Sequence, residues 1–420
     1  MQLGDKPMIH YFNPGHETDV LHDSKYYQAA ANQVKMQREL AFLPAWYADN
    51  SDFVLTENPL PSDFISNLQV FKNIPQAIRL SDFTENKSIL SNQSVNLWGI
   101  SPSSVHLFEK LNKQFNLDLK IPAWKEEYRQ LGNRLNSQKV LSEIIHSIPE
   151  IETNILPVFH SDLDAIEQYH IQSKNKQIVK SPFSSSGRGL VWLPPGEIAR
   201  SEKQIISGML KKQSKVSIEM ALEKQLDFSM HFQTTSQKEV QFLGFSIFKT
   251  NTKGAYEKSF LAAQSELEKQ ITLYVNKELL YSVRDKLISI IEETYLPYYC
   301  GNIGVDMLIY KSENQYKLNP CIEINMRKSM GYLALELQKK FLHPTSLGEF
   351  YIDYNSNSNE IYQKHENWTK QFPLLMENNL IKSGYLSLCP VNQTSNYHAY
   401  IQVSHPHLEV PQEVQAKQPS

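Results

Sequence analysis

Two apolar runs late in the chain carry polar side chains whose types and spacing suit a divalent cation. Asp306 lies in the first run, and after a polar turn Glu323 and Asn325 stand two residues apart in the second. Side chains at i and i+2 lie on one face of a strand, and Arg327 continues that face. Carboxylate and amide oxygens are ligands that Mg²⁺ or Mn²⁺ prefers, with water and phosphate oxygens completing the shell. The pattern predicts a hairpin that binds a metal ion with a phosphate group; a hairpin whose polar face points at water is the alternative.

A Ser- and Gly-rich stretch, residues 180–189, has the composition of a phosphate-binding loop. It lies between two short β-type runs, so we expect a hairpin loop and not the strand-to-helix turn of other nucleotide-binding loops. Glycines permit close approach of the backbone, and Lys180 adds a positive charge. A flexible, solvated linker is the alternative. The other loop residues predicted to contact phosphate are Ser184, Ser185, Ser186, Gly187 and Gly189.

Together the two stretches resemble the ATP-grasp superfamily, in which a lysine and a Gly-rich hairpin loop close over the triphosphate and an Asp followed by Glu-x-Asn binds magnesium. The resemblance spans about residues 125–340. It implies ATP and Mg²⁺ or Mn²⁺ as ligands, Lys180 as the second ATP-binding lysine, and Arg327 as a catalytic residue near an acyl phosphate. The metal ligands that it implies are Asp306, Glu323 and Asn325.

The resemblance implies two further lysines near the phosphates. Lys139 resembles the first ATP-binding lysine, and we expect it near the positive end of a helix capped by Ser137. Lys249 is expected at the end of a strand, where it would reach the γ-phosphate or the acyl phosphate. A solvated helix lysine and an exposed edge lysine are the respective alternatives.

The nucleoside contacts implied by the resemblance follow a predicted strand at residues 216–220. Glu219 is the acid expected to read adenine, and Asp227 the acid expected to hold the ribose hydroxyls. Ala221 and Leu222 would supply backbone contacts to the base. An ordinary strand end with two solvated acids is the alternative.

The activity that the resemblance implies is that of an ATP-dependent ligase. Such an enzyme activates a carboxylate as an acyl phosphate and joins it to an amine, forming an amide or peptide bond and releasing ADP and phosphate. Its partners would be a small-molecule carboxylate and an amine. Gly304 stands where some members have an Arg, which argues against the D-alanine ligase type. A small-molecule kinase of the same fold and a nucleotide-binding scaffold without turnover remain open.

The elements that must position these residues predict an α/β (α+β) chain. We expect an N-terminal α/β domain, of the kind that precedes the nucleotide-binding part in this superfamily, and then a two-lobed ATP-grasp fold. The expected units are a substrate-side domain (residues 1–125), a small lobe with the phosphate loop (126–222), a large lobe with the metal site (223–345) and a C-terminal extension (346–420).

Five further residues stand out without an assigned role. His16 and Glu17 follow the first predicted strand and a turn, where they are either substrate contacts or part of a solvated loop. His398, His405 and His407 lie close together near the C-terminus. Because no carboxylate or cysteine accompanies these three, we expect surface histidines and not metal ligands.

Composition excludes several other classes of function. The net charge of −3 and the lack of a long basic block give no reason to expect a nucleic-acid partner. The sequence has neither an apolar signal core nor a membrane-spanning apolar run, so we expect a cytoplasmic protein without a membrane partner. Three cysteines are too few for a disulfide framework. A homodimer remains an open alternative.

Overall fold

The computed structural model describes residues 7–184, 189–252 and 254–404. The first part of the chain forms a four-stranded parallel sheet in the order β3-β2-β1-β4. Apolar runs such as Phe53-Val54-Leu55 form its strands because a parallel sheet is covered on both faces. Its elements are β1 (Met8–Tyr11), α1 (His16–His22), α2 (Ala31–Glu39), β2 (Phe53–Thr56), α3 (Ser62–Leu68), β3 (Gln76–Arg79), α4 (Lys87–Leu90), β4 (Ser94–Leu97) and α5 (Pro102–Phe115).

The carboxyl ends of β1 and β4 are tied together by one side chain. Asn13 Nδ2 donates to the Gly99 carbonyl at 2.8 Å, and the Gly99 N–H donates back to Asn13 Oδ1 at 3.1 Å. Because both strands end here, their loops open at the same edge of the sheet, where ligands meet open α/β sheets.

The next part of the chain contains a second, antiparallel sheet of four strands in the order β5-β8-β6-β7. Apolar side chains of this sheet pack with Ile166 and Ile206 into a small core of their own. The hairpin expected around the phosphate loop is present, since Lys180 pairs with Leu190. The elements are α6 (Glu127–Leu131), α7 (Arg134–Ser147), β5 (Val158–His160), α8 (Leu163–Ile171), β6 (Gln177–Lys180), β7 (Leu190–Leu193), α9 (Arg200–Gln213) and β8 (Val216–Met220).

The third sheet has nine strands in the order β13-β12-β9-β10-β11-β14-β17-β16-β15, and its neighbouring strands are antiparallel. The elements are β9 (Glu223–Thr234), β10 (Val240–Thr250), β11 (Tyr256–Leu261), α10 (Gln264–Thr272), α11 (Lys277–Thr294), β12 (Gly301–Ser312), β13 (Gln315–Asn325), α12 (Met330–Phe341), β14 (Leu347–Tyr354), α13 (Ser358–Gln371), β15 (Leu375–Glu377), β16 (Leu380–Ser387) and β17 (Tyr397–Ser404).

Two features of this sheet bear on the expected units. Strands β14 to β17, from the segment expected to be a C-terminal extension, continue the sheet that carries the predicted metal hairpin. Helix α7, from the segment expected to be the small lobe, packs Val140, Leu141 and Ile144 into the core below β9 and β12. The division of the chain at residues 125, 222 and 345 stays a prediction.

The C-terminal histidines give one correction. His398 was expected at the surface, but it is fully buried in β17, where its Nε2 lies 2.7 Å from the Tyr385 hydroxyl. Burial is tolerated because this hydroxyl satisfies a ring nitrogen. His405 and His407 lie outside the described residues. Among the described helices, none has both the length and the apolar character needed to cross a bilayer.

Candidate active site

A cleft of about 420 Å³ opens between the β5–β8 sheet and the nine-stranded sheet and reaches the edge of the N-terminal sheet. Most of the residues singled out in the sequence line it. They are Lys180, Ser184, Glu219, Ala221, Leu222, Asp227, Asp306, Glu323, Asn325 and Arg327. Ser185, Ser186 and Gly187 lie outside the described residues.

The predicted metal hairpin is present, and its register brings the three oxygen-bearing side chains together. Asp306 on β12 lies opposite Glu323 on β13, and Gly304 lies opposite Asn325. Asn325 Nδ2 donates to Asp306 Oδ2 at 2.9 Å. Ser229 on β9, which the sequence did not single out, donates its hydroxyl to Asp306 Oδ1 at 2.5 Å. Both carboxylate oxygens of Asp306 are thus held in fixed directions.

The electrostatics of this hairpin fit a cation. Burial raises the pKa of Asp306 to about 7, and the charge of Glu323 adds to the rise. Two negatively charged carboxylates repel each other in a low-dielectric site, and a bound cation would offset this repulsion. No group of three or more His, Cys, Asp or Glu side chains suited to a metal occurs in the described ranges. Two carboxylates and an amide nevertheless fit Mg²⁺, which commonly keeps water and phosphate oxygens for the rest of its shell.

Arg134 is a cleft residue that the sequence reasoning missed. Its Nη2 donates to Glu323 Oε2 at 2.6 Å, and its Nη1 donates to the Ser181 carbonyl at 2.7 Å and to Ser184 Oγ at 2.5 Å. It is the first residue of α7, whose N-cap Asn133 accepts from the Leu135 N–H. Asn is a favoured N-cap residue, so the Asn133-Arg134 pair carried a usable signal.

That helix start corrects the expectation for Lys139. Ser137 was expected to cap the helix, but it lies inside α7, where its hydroxyl accepts from the Ile324 N–H at 3.2 Å. Lys139 is therefore in the second turn, where the field of the helix end has faded. It is exposed and does not line the cleft. The position near the positive end belongs to Arg134.

Lys249 lies at the end of β10, as expected, but it does not line the cleft. Phe248 and Thr250 line the cleft, whereas Lys249 between them is exposed and does not. Side chains alternate between the two faces of a strand, so the two neighbours of Lys249 occupy the face that meets the cleft. The structure therefore gives no support to a phosphate contact by Lys249.

At one end of the cleft, Lys180 and Glu219 form an ion pair, and both side chains are largely buried. Asp227 accepts from Lys224 Nζ at 2.7 Å and from Thr250 Oγ1 at 3.0 Å. The Ala221 N–H donates to the Lys176 carbonyl at 2.9 Å, so that N–H is not available to a base. The two acids expected to contact the nucleoside and the lysine expected to contact phosphate therefore line the same cleft.

At the other end, Arg327 and Glu17 form an ion pair in which Arg327 Nε donates to a Glu17 oxygen. Arg327 Nη1 donates to the Lys328 carbonyl at 3.0 Å. Burial acts to raise the pKa of Glu17, but the charge of Arg327 holds it below its ordinary value. The solvated-loop alternative for His16 and Glu17 is wrong, since both lie in α1 and Glu17 is only 12% exposed. Other residues at this end are Pro14, Gln33, Met36, Trp98, Met330 and Gly331.

Lys328 joins this end of the cleft to the N-terminal sheet. Its backbone N–H donates to the Trp98 carbonyl at 2.9 Å, and its Nζ donates to the Leu97 carbonyl at 3.1 Å and to the Asn96 side chain. Burial lowers the pKa of Lys328 to about 7. The carboxyl end of β4 is thereby docked beside the metal hairpin.

Comparison with known proteins supports the fold. No family model matches the sequence, and no curated protein matches it. Biotin carboxylase from Campylobacter jejuni, in its β-γ-ATP complex, is similar with a TM-score of 0.52 and 10% identity over 95% of this chain and 87% of that chain. The chain therefore has the ATP-grasp fold, which confirms the fold class expected from the sequence.

Two further solved structures are similar at lower TM-scores. N5-carboxyaminoimidazole synthetase from Staphylococcus aureus, complexed with ADP, has a TM-score of 0.47 and 12% identity, covering 96% of this chain and 94% of that chain. L-amino acid ligase from Bacillus licheniformis has a TM-score of 0.44 and 12% identity, with coverage of 96% and 94%.

Proposed function

We propose that this protein is an ATP-dependent ligase that activates a carboxylate as an acyl phosphate and joins it to an amine, releasing ADP and phosphate. One observation carries the proposal. The hairpin of Asp306, Glu323 and Asn325 lies in the same cleft as the Lys180–Glu219 pair and the Glu17–Arg327 pair. A nucleotide and an acceptor can therefore meet at one group of charged side chains.

The nucleotide half of the cleft offers donors and acceptors for each part of ATP. Glu219 would accept from the adenine amino group, and Asp227 would accept from a ribose hydroxyl. Lys180 would bind phosphate oxygens as a point charge, and Arg134 would donate its Nε–H, which has no partner among the described residues. The biotin carboxylase of similar fold was solved in a β-γ-ATP complex, which supports ATP as the ligand proposed here.

Asp306, Glu323 and Asn325 would hold Mg²⁺ or Mn²⁺, which when bound offsets charge on the phosphates. Arg134 keeps Glu323 in place, and Ser229 and Asn325 keep Asp306 in place. These contacts fix the carboxylates before substrate arrives, which reduces the reorganisation needed at the moment of reaction.

The reaction needs no covalent intermediate with the protein. A carboxylate oxygen of the acceptor attacks the γ-phosphorus, and the bond to the ADP oxygen breaks. The amine nitrogen then attacks the acyl carbon, and the bond to the phosphate oxygen breaks. Arg327 uses Nε and one Nη1 hydrogen within the protein, so its other N–H groups are available to the acyl phosphate. Catalysis is then positioning and charge stabilisation.

The test measures ADP release from ATP and Mg²⁺ with pools of amino acids and small carboxylates, with and without hydroxylamine, which traps acyl phosphates as hydroxamates. We expect a hydroxamate with one carboxylate pool. ADP release without hydroxamate would favour a kinase of the same fold, and ATP binding without ADP release would favour a scaffold. Lys139→Ala, at an exposed position of α7, is the matched control for variants in the cleft.

A further inference from the structure

A second, small cavity of about 20 Å³ adjoins the cleft at Glu17 and Arg327, which line both spaces. It shares Glu17, Arg327, Glu323 and Asn325 with the cleft, and His16 lines only the cavity. This volume is large enough for one water molecule. Glu17 and Arg327 therefore line both the cleft, where the acceptor would bind, and a space with room for one water molecule.

The ring of His16 is fixed in one orientation and one tautomer. Its Nε2 lies 3.1 Å from the Ile100 carbonyl, which only accepts, so Nε2 carries the proton. The backbone of Gly99 packs against the ring so closely that a Cβ there would lie 2.4 Å from His16 Cδ2. The other nitrogen, Nδ1, therefore presents a lone pair, and it is buried without a hydrogen-bond partner among the described residues.

Glu17 has a matching unpaired atom. One of its carboxylate oxygens accepts from Arg327, whereas Oε2 is buried and has no partner in the described part of the chain. Buried polar atoms are nearly always hydrogen-bonded, and two acceptors cannot satisfy each other. Each of the two atoms therefore needs a donor. The cavity that both residues line is the place for it.

The proposed ligase reaction, on which this inference rests, creates a need for such acceptors. An ordinary amine is an ammonium ion at neutral pH and has no lone pair, so it must lose one proton before attack. We propose that Glu17 and His16 form the path that takes up this proton, with Glu17 contacting the amine in the cleft and His16 Nδ1 receiving the proton through the cavity. Glu17 is then a catalytic residue and His16 a positioning residue that acts through it.

The protons balance. The ammonium nitrogen carries three hydrogens, and the amide nitrogen keeps one. The first proton goes to His16 through Glu17, the nitrogen lone pair forms the bond to the acyl carbon, and the carbon–oxygen bond breaks. The departing phosphate takes the second proton. Burial lowers the pKa of His16, so the imidazole is neutral before the reaction and its Nδ1 lone pair is free.

The experiment compares two nucleophiles in His16→Gln. The Gln amide nitrogen can still donate to the Ile100 carbonyl, but the variant lacks the base at Nδ1. Hydroxylamine is uncharged at neutral pH and needs no prior deprotonation, whereas an amino-acid pool supplies ammonium ions. We expect hydroxamate formation to stay within about twofold and amide formation to fall on the order of 100-fold. His22→Gln, at the other end of α1, is the control.

Other outcomes would overturn the inference. A parallel loss of hydroxamate and amide would mean that His16 only supports the structure, and unchanged amide formation would mean that it accepts no proton. If His16→Gln does not fold, His16→Asn, which puts an amide near the position of Nδ1, gives the same comparison. If the unaltered protein forms hydroxamate but no amide, the amine step and this inference are contradicted, whereas activation of a carboxylate still stands. If the unaltered protein releases no ADP and forms no hydroxamate, the proposed function is contradicted as well.

Discussion

Arg134 and Glu323 are 189 positions apart in the sequence, yet Arg134 Nη2 donates to Glu323 Oε2 at 2.6 Å. The same guanidinium donates to the Ser181 carbonyl and the Ser184 hydroxyl at the start of the phosphate loop. One side chain therefore holds together the metal hairpin of the large sheet and the loop of the small sheet. Its Nε is buried without a partner among the described residues, which leaves one further N–H for a phosphate oxygen.

Arg134→Lys is expected to weaken ATP binding by roughly tenfold or more, since a lysine cannot make this set of directed bonds to a carboxylate, a carbonyl and a hydroxyl at once. Titration calorimetry with ATP and Mg²⁺ measures the effect. Lys139→Ala, five residues along the same helix but exposed, is expected to bind ATP as the unaltered protein does. Equal affinities for all three proteins would contradict the role of Arg134.

Glu323→Ala is expected to lower ADP release by at least about 100-fold, because it removes a metal ligand and leaves the Arg134 charge without its partner. Turnover is measured over a range of Mg²⁺ concentrations, and thermal unfolding is followed in parallel to separate activity from stability. Removal of the metal with a chelator should reduce ADP release by the unaltered protein to a similar extent. Unchanged turnover in the variant would contradict the assignment of Glu323 as a metal ligand.

Lys328 should make stability depend on pH. Its pKa is about 7 in the folded protein and near its ordinary value of 10.5 when unfolded, so between these values the unfolded chain binds more protons. The free energy of unfolding therefore rises with pH in this window, by at most about 1.4 kcal/mol per pH unit. Below pH 7 both states are protonated and this slope vanishes.

Lys328→Met is expected to remove that part of the slope. Urea unfolding at pH 7.5 and pH 9, values chosen inside the window, measures the change in the free energy of unfolding with pH for each protein. Lys339→Met, at an exposed position of α12, is the control. Parallel stability curves for Lys328→Met and the unaltered protein would show that Lys328 titrates alike in both states.

Gly331→Ala is expected to destabilise the fold by about 1–3 kcal/mol and to weaken acceptor binding. A Cβ at this position would lie 2.4 Å from Ser246 Oγ and 2.7 Å from His231 Nε2, two buried groups that are 2.8 Å apart. Neither can move without losing its partner, so the start of α12 must shift. Gly208→Ala in α9, where a Cβ would meet nothing within 4 Å, should be neutral or stabilising. Thermal unfolding and the KM for the acceptor check both variants.

The local sequence pattern was sufficient to predict those parts of the site that lie on a single hairpin. The alternation around Glu323 and Asn325 predicted a strand, and β13 has both on it. The turn residues between two β-type runs predicted the hairpin of β6 and β7. In both cases the paired strands are close in sequence. Their arrangement therefore follows from the alternation of side chains along each strand and from the residue types in the turn. The predicted start of α7 was wrong, because the helix is capped by Asn133 and not by Ser137, four residues later.

The sequence by itself determined the class of fold and the two hairpins that carry the predicted metal ligands and the predicted phosphate loop, since each hairpin depends on local pattern. Tertiary structure alone decided that Arg134 meets Glu323, that Arg327 pairs with Glu17 across 310 positions, and that His16 lines a small cavity beside the cleft. These contacts depend on how three sheets pack against one another. How the sheets pack depends on the side chains of the whole core, so it cannot be deduced from the spacing of residues along the chain.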